Sequence, residues 1–238
     1  MRLHQTVVAL FFAAQGWLQT FPVDTRSLTT TGESSYFILK PGYTTTFQGK
    51  GGKLVITVLD ETLNVGGVDT RIVEEREWDG AELIEISRNY FAIHPPTGDV
   101  YYFGEDVDMY KKGKVVSHDG SWRHGTNGAT FGLMMPGTPV MGMRFYQELA
   151  PRIAMDRAEI VSVTDTLTTR GGTFERCVKT RETTPLEKLA REYKVYAPGV
   201  GLVKDGNFEL VSHAFAREPG RNLYSALRTL AIDVRWAY

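Results

Sequence analysis

One cysteine in 238 residues excludes an intrachain disulfide and any Cys-x-x-Cys metal or redox pair. That thiol, Cys177, falls in the strand-like stretch FERCVKT and is expected to be buried and inert. Charge of one sign is also lacking. Lys and Arg number 27 against 28 Asp and Glu, a net charge of -1, which leaves no global field for a nucleic-acid backbone or an anionic membrane. No apolar run approaches the roughly 20 residues that cross a bilayer as a helix, so no stable membrane insertion is expected. Gly-x-Ser-x-Gly, His-Glu-x-x-His, the phosphate-binding P-loop, the EF-hand loop and Asn-x-Ser/Thr are all missing. Known hydrolase, zinc and nucleotide classes lose weight accordingly. No metal or cofactor is expected, and the composition points to a small-molecule or protein partner.

What is present reads as a β protein. Hydrophobic residues make up 42% and charged residues 23%, with 24 Gly and 10 Pro, which are ordinary globular proportions. Turn chemistry recurs at short, even intervals across 36–213, the mark of a β meander. Asp79-Gly80 is the sharpest turn, expected as a type I′ pair between a strand over 70–78 and one over 81–93. In the segment LIEISRNYF, Ile84, Ile86 and Tyr90 alternate with Glu85, Ser87 and Asn89, so one face is expected to be wet. The fold class expected is mainly β: one curved antiparallel sheet or partial barrel of about nine to eleven strands.

Three segments depart from this pattern. Residues 1–18 carry Arg2, the apolar run VVALFFAA and small residues at 14 and 16, which predicts a signal peptide and a secreted or extracytoplasmic protein. A flexible segment is expected over 19–35 before the β domain at 36–213. Residues 125–143 hold Met134, Met135, Met141 and Met143 among Gly and Pro, and predict a long loop acting as a lid or a plug. Residues 214–238 predict an amphipathic helix, with an apolar stripe through Leu223, Leu227 and Leu230 and with Arg221, Arg228 and Arg235 on another face.

The stretches Tyr36-Phe37-Ile38-Leu39-Lys40-Pro41-Gly42, Tyr101-Tyr102-Phe103-Gly104-Glu105-Asp106, Gly128-Ala129 with Met135-Pro136, Tyr146-Gln147-Glu148 and Tyr196-Ala197-Pro198-Gly199-Val200-Gly201 carry a likeness. On them, the chain resembles an uncharacterised family of exported bacterial β-rich proteins over about 36–203. Thr130-Phe131 departs from that pattern, where a Pro before Gly132 is its norm. The resemblance implies export and a fold similar to the half-barrels that carry lipids or lipoproteins across the periplasm. It implies no activity and no catalytic residue.

Candidate chemistry is sparse. His118, Asp119, Trp122 and His124 lie together, yet a spacing of six between the histidines matches no common ligand pattern, and a solvated turn with a packed Trp explains them as well. Glu148 and Asp156 sit in apolar contexts suited to orienting a ligand or moving a proton; ion pairs with Arg144, Arg152 or Arg157 are the structural alternative. Glu192, Lys194 and Tyr196 share one strand face by their spacing, and Glu182 invites the same two readings. The expectation is a secreted protein binding a mainly apolar small molecule through Tyr102, Trp122, Met134, Met135, Tyr146, Glu182, Glu192 and Tyr196. The alternative is a lyase, isomerase or hydrolase using Glu148, Asp156 and His124. A third reading is a surface protein with no pocket.

Overall fold

The structure, a computed structural model, describes residues 16–216. Most of the expected leader and the expected tail helix beyond Ala216 lie outside the described residues.

After a single 3-10 turn (Thr25–Ser27) come β1 (Gly32–Ser34), β2 (Phe37–Leu39), β3 (Tyr43–Gln48), β4 (Gly52–Val65), β5 (Val68–Asp79), β6 (Glu82–His94) and β7 (Asp99–Lys111). Shorter strands follow: β8 (Lys114–Ser117), β9 (Trp122–Arg123), β10 (Thr130–Met135), β11 (Arg144–Tyr146) and β12 (Glu148–Leu149). The chain then returns to long strands with β13 (Arg157–Thr169), β14 (Gly172–Thr184) and β15 (Glu187–Ala197), and ends on β16 (Gly201–Asp205) and β17 (Phe208–Phe215).

Apart from the β1-β2 hairpin, the strands form one sheet in the order β11-β13-β14-β15-β16-β17-β3-β4-β5-β6-β7-β10-β12, with β8 and β9 also on β7. The halves of the chain meet where β17 pairs antiparallel with β3, Leu210 opposite Phe47. The two ends of the order, β11 and β12, are separated in sequence by Gln147 alone. The covalent chain therefore steps from one edge of the sheet to the other, giving a nearly closed antiparallel barrel-like sheet with little free edge. Close approach at this junction depends on Gly132 in β10, where a Cβ would lie 2.1 Å from the Gln147 carbonyl oxygen.

Three sequence expectations are corrected. Among the described residues the sheet holds fifteen strands, above the expected range; three of them, β9, β11 and β12, span only two or three residues and so carry no readable alternation. The 125–143 stretch is not one long loop: its TFGLMM run forms β10, with Leu133 and Met135 buried and Gly132 opposite Tyr102. Its glycine marks a close backbone approach inside a strand. The hairpin after β5 turns on Gly80-Ala81, with Asp79 paired to Glu82, and positive φ occurs at Gly80 (58°) but at neither neighbour. One positive φ, at a glycine in the first central position, is the pattern of a type II′ turn rather than type I′.

Register decides which side chains share a face. Glu75 pairs with Ser87, Val73 with Asn89, Asn89 with Glu105, and Phe91 with Tyr102. This polar face points into the barrel: Ser87 and Asn89, read from sequence as solvent-facing, are each only 5% exposed. The opposite face of the same strands carries Ile72, Tyr90, Tyr101 and Phe103, a buried cluster that also takes in Phe145, Ile160 and Val178. Residues of the lead-in pack on it, including Phe21, Val23 and Leu28. Backbone bonds hold this segment too: Leu18 N–H donates to the Arg144 carbonyl at 3.0 Å, and Thr29 and Ile93 exchange two bonds of 2.9 Å. Arg71 adds a side-chain bond to the Thr30 carbonyl at 2.9 Å.

Candidate functional site

The inward face of β5, β6 and β7 does not meet the opposite wall. Between them lies a cavity of about 620 Å³. One side contributes Glu75, Glu85, Ser87, Asn89 and Glu105; the other contributes Glu182, Glu187 and Lys194; Gln147, Glu148 and Asp156 line the junction of the two sheet edges. Seven carboxylates thus face one lysine. A smaller chamber of about 80 Å³ adjoins it, sharing Glu75, Phe91, Met134 and Lys194. Its remaining wall is mostly apolar, with Phe37, Ile56, Val73, Tyr196 and Leu202.

The single lysine is already engaged: Lys194 Nζ lies 3.3 Å from both Glu182 and Asp205. Glu182 also accepts from the Gln147 side-chain amide at 3.3 Å and from the Thr180 hydroxyl at 3.2 Å. On the facing wall the Tyr102 hydroxyl donates to Asn89 Oδ1, and the Asn89 amide donates to Ser87 Oγ at 3.2 Å. The Tyr196 hydroxyl has no hydrogen-bond partner among the described residues. Among the described residues, Glu75, Glu85, Glu105, Glu148 and Asp156 form no ion pair.

Most of these acids are half-buried and all are crowded together, which disfavours their charged forms. Burial raises Glu75 to about 7, with Asp205 and Glu85 adding to the effect and Lys194 opposing it. Burial and nearby acids, among them Glu75 and Glu85, raise Glu105 to about 8. Glu148 is pushed well above the usual carboxylate range by burial and then by Glu105 and Asp156. Burial opposes the charge on Lys194, but Asp205 and Glu182 outweigh it and hold the ammonium protonated. Burial and mutual proximity together hold protons on these acids.

No protein-family model, curated protein or solved structure matches this chain. The functional reading rests on the geometry alone.

The cavity walls bring together six of the residues singled out from the sequence: Tyr102, Met134, Glu148, Asp156, Glu182 and Tyr196. The others lie elsewhere. Trp122 stands behind Tyr102, ring centroids 5.3 Å apart, and lines a separate hollow with Arg123 and Ile153. Met135 is core, 1% exposed. Tyr146 packs with Trp17 at 6.2 Å, and its hydroxyl accepts from Arg157 at 3.4 Å, away from the cavity. Glu192 is exposed beside Lys179, Tyr193 and Lys204 in a surface depression. His124 packs edge-on against Phe103 and Phe131, so it does not join Glu148 and Asp156. His118 points to solvent beside Asp108, and no group of three side chains among the described residues is arranged to hold a metal.

Ion pairing does not account for Glu148 and Asp156. Arg144 is taken by Glu159 at 3.0 Å, and Arg157 stacks over Trp17 at 4.3 Å and donates to the Thr183 hydroxyl at 3.2 Å. Glu75, Glu85, Asn89, Glu105 and Gln147 were not singled out from the sequence. The alternation of Glu85, Ser87 and Asn89 is a visible signal, but a period of two does not say whether the wet side is bulk solvent or an internal cavity.

Proposed function

We propose that this protein binds a small molecule inside its sheet, as an exported binding protein whose leader is removed. The observation that carries the reading is the two-part interior, in which a mostly apolar chamber opens onto an acid-lined one across Glu75, Phe91, Met134 and Lys194. Polar groups converging beside an apolar pocket are a usual signature of a ligand site. The ligand therefore has an apolar part for the smaller chamber and a polar part for the larger, rather than being apolar throughout.

A second reading is supported by Glu105 and Glu148, whose raised carboxyls in a partly dry site suit proton transfer. In that case Glu148 and Glu105 serve as acid and base, Asp156 assists at the rim, and His124 takes no part. Native mass spectrometry of the protein purified under non-denaturing conditions tests the first reading. A bound species lost in Met134→Trp, which fills the shared wall, is expected; finding each protein only at the mass of its bare polypeptide counts against it.

A further inference from the structure

We infer that the polar end of the ligand is an organic ammonium group, so that the cavity takes an amphiphilic amine rather than a fatty acid, an alcohol or a metal ion. This rests on the reading of the cavity as a ligand site.

The charge balance is the first observation. Lys194, the one cation lining the space among the described residues, is committed to Glu182 and Asp205, which leaves Glu75, Glu85, Glu105, Glu148 and Asp156 without an ion-pair partner among those residues. A carboxylate or phosphate head entering there opposes ionisation of the surrounding acids, whereas an ammonium favours it and so gains its own counter-charge.

An independent observation is the Tyr196 hydroxyl. Tyr196 is 2% exposed, forms part of the apolar chamber wall, and lies within electrostatic reach of Glu182, Lys194, Asp205 and Glu75, yet its oxygen has no hydrogen-bond partner among the described residues. A buried hydroxyl left unpaired is costly, and the missing partner fits a ligand group at the boundary between the two chambers. An ammonium supplies three N–H donors and needs no donor in return, so it can donate to this oxygen and to carboxylates beyond it. Phe91 and Tyr102 line the larger chamber on the facing wall, and aromatic rings favour organic cations further.

The spread of the acids argues against a metal ion. They come from β5, β6 and β7, from the β11–β12 junction and from β14, and no three His, Cys, Asp or Glu side chains among the described residues converge on one point. A metal ion needs short bonds to several ligands at once, whereas an alkylammonium tolerates dispersed acceptors and brings a chain for the apolar chamber.

Isothermal titration of the intact protein at pH 7.5 with octylammonium, octanoate and 1-octanol tests this without any variant. Octylammonium is expected to bind at least about tenfold tighter than either of the others. Tyr196→Phe is expected to weaken octylammonium by about threefold and 1-octanol, which has a single O–H to donate, by less. If 1-octanol or octanoate binds as tightly as octylammonium and Met134→Trp abolishes that binding, the ammonium inference is overturned while the cavity remains a ligand site. If none of the three binds, both fall. Displacement of octylammonium by equimolar Ca²⁺ also overturns the inference.

Discussion

The Gln147 side-chain amide donates to Glu182 at 3.3 Å, tying the residue that joins the two sheet edges to the wall of β14. The same nitrogen lies 3.7 Å from Met134 Sδ in β10, so one side chain touches both sides of the closure. Gln147→Leu removes the donor and leaves Glu182 dependent on Lys194 and Thr180. A loss of about 1–3 kcal/mol is expected, as for a buried hydrogen bond to a charged group. Gln147→Glu adds a further carboxylate opposite Glu182 and is expected to cost more. Urea unfolding of the two variants against the parent checks the order.

The junction is equally sensitive at Gly132. A Cβ there would sit 2.1 Å from the Gln147 carbonyl oxygen and 2.8 Å from that of Tyr146, both backbone atoms that cannot swing away. Gly132→Ala is expected to destabilise by more than about 2 kcal/mol or to prevent folding, since close-packed backbone transmits such a clash. A variant with an unchanged unfolding midpoint would remove this account of how the sheet closes.

Lys194 neutralises two acids at once. Lys194→Met leaves Glu182 and Asp205 facing each other, each formerly 3.3 Å from the ammonium. Removing one partner of a largely buried ion pair costs about 3 kcal/mol, part of which solvent in the cavity offsets. A fall in the melting temperature is expected, and added salt should lessen it, because screening weakens the exposed repulsion.

Stability should fall as pH rises even in the parent protein. Glu75, with an ordinary value of 4.5, is raised to about 7, and Glu105 to about 8. Between those values the folded state holds more protons than the unfolded state, so folding weakens with each step upward in pH. The stabilisation is complete below about 4.5 and is lost through about 8. Melting curves at pH 5, 6.5 and 8 should show a steady decrease, and Glu75→Gln together with Glu105→Gln should flatten it. Bound octylammonium should reverse the slope between pH 6.5 and 8, because it favours the ionised acids.

The β architecture was legible because alternation and turns are local. Glu85, Ser87 and Asn89 declare a polar strand face within a few residues of chain, and the Gly-rich turns declare where strands stop. The closure was not legible. It depends on Gln147 lying between β11 and β12, whose partners stand at opposite ends of the strand order, and strands of two or three residues give no periodic signal. The same limit governs the site. Lys194 and Tyr196 could be placed on one face by spacing alone, but the meeting of Lys194 with Asp205 depends on register across β15 and β16. His124 shows the converse: its neighbours in sequence suggest a polar cluster, while tertiary packing sets it against Phe103 and Phe131.

The central claim is that the space between the sheet walls is a ligand site, and a crystal structure of the protein grown with octylammonium tests it most directly. Density for the alkyl chain among Phe37, Ile56 and Leu202, with the nitrogen toward Glu75 and the Tyr196 hydroxyl, is the expected result. Side chains filling both chambers, or an alkyl chain bound only on the outer surface, would contradict it.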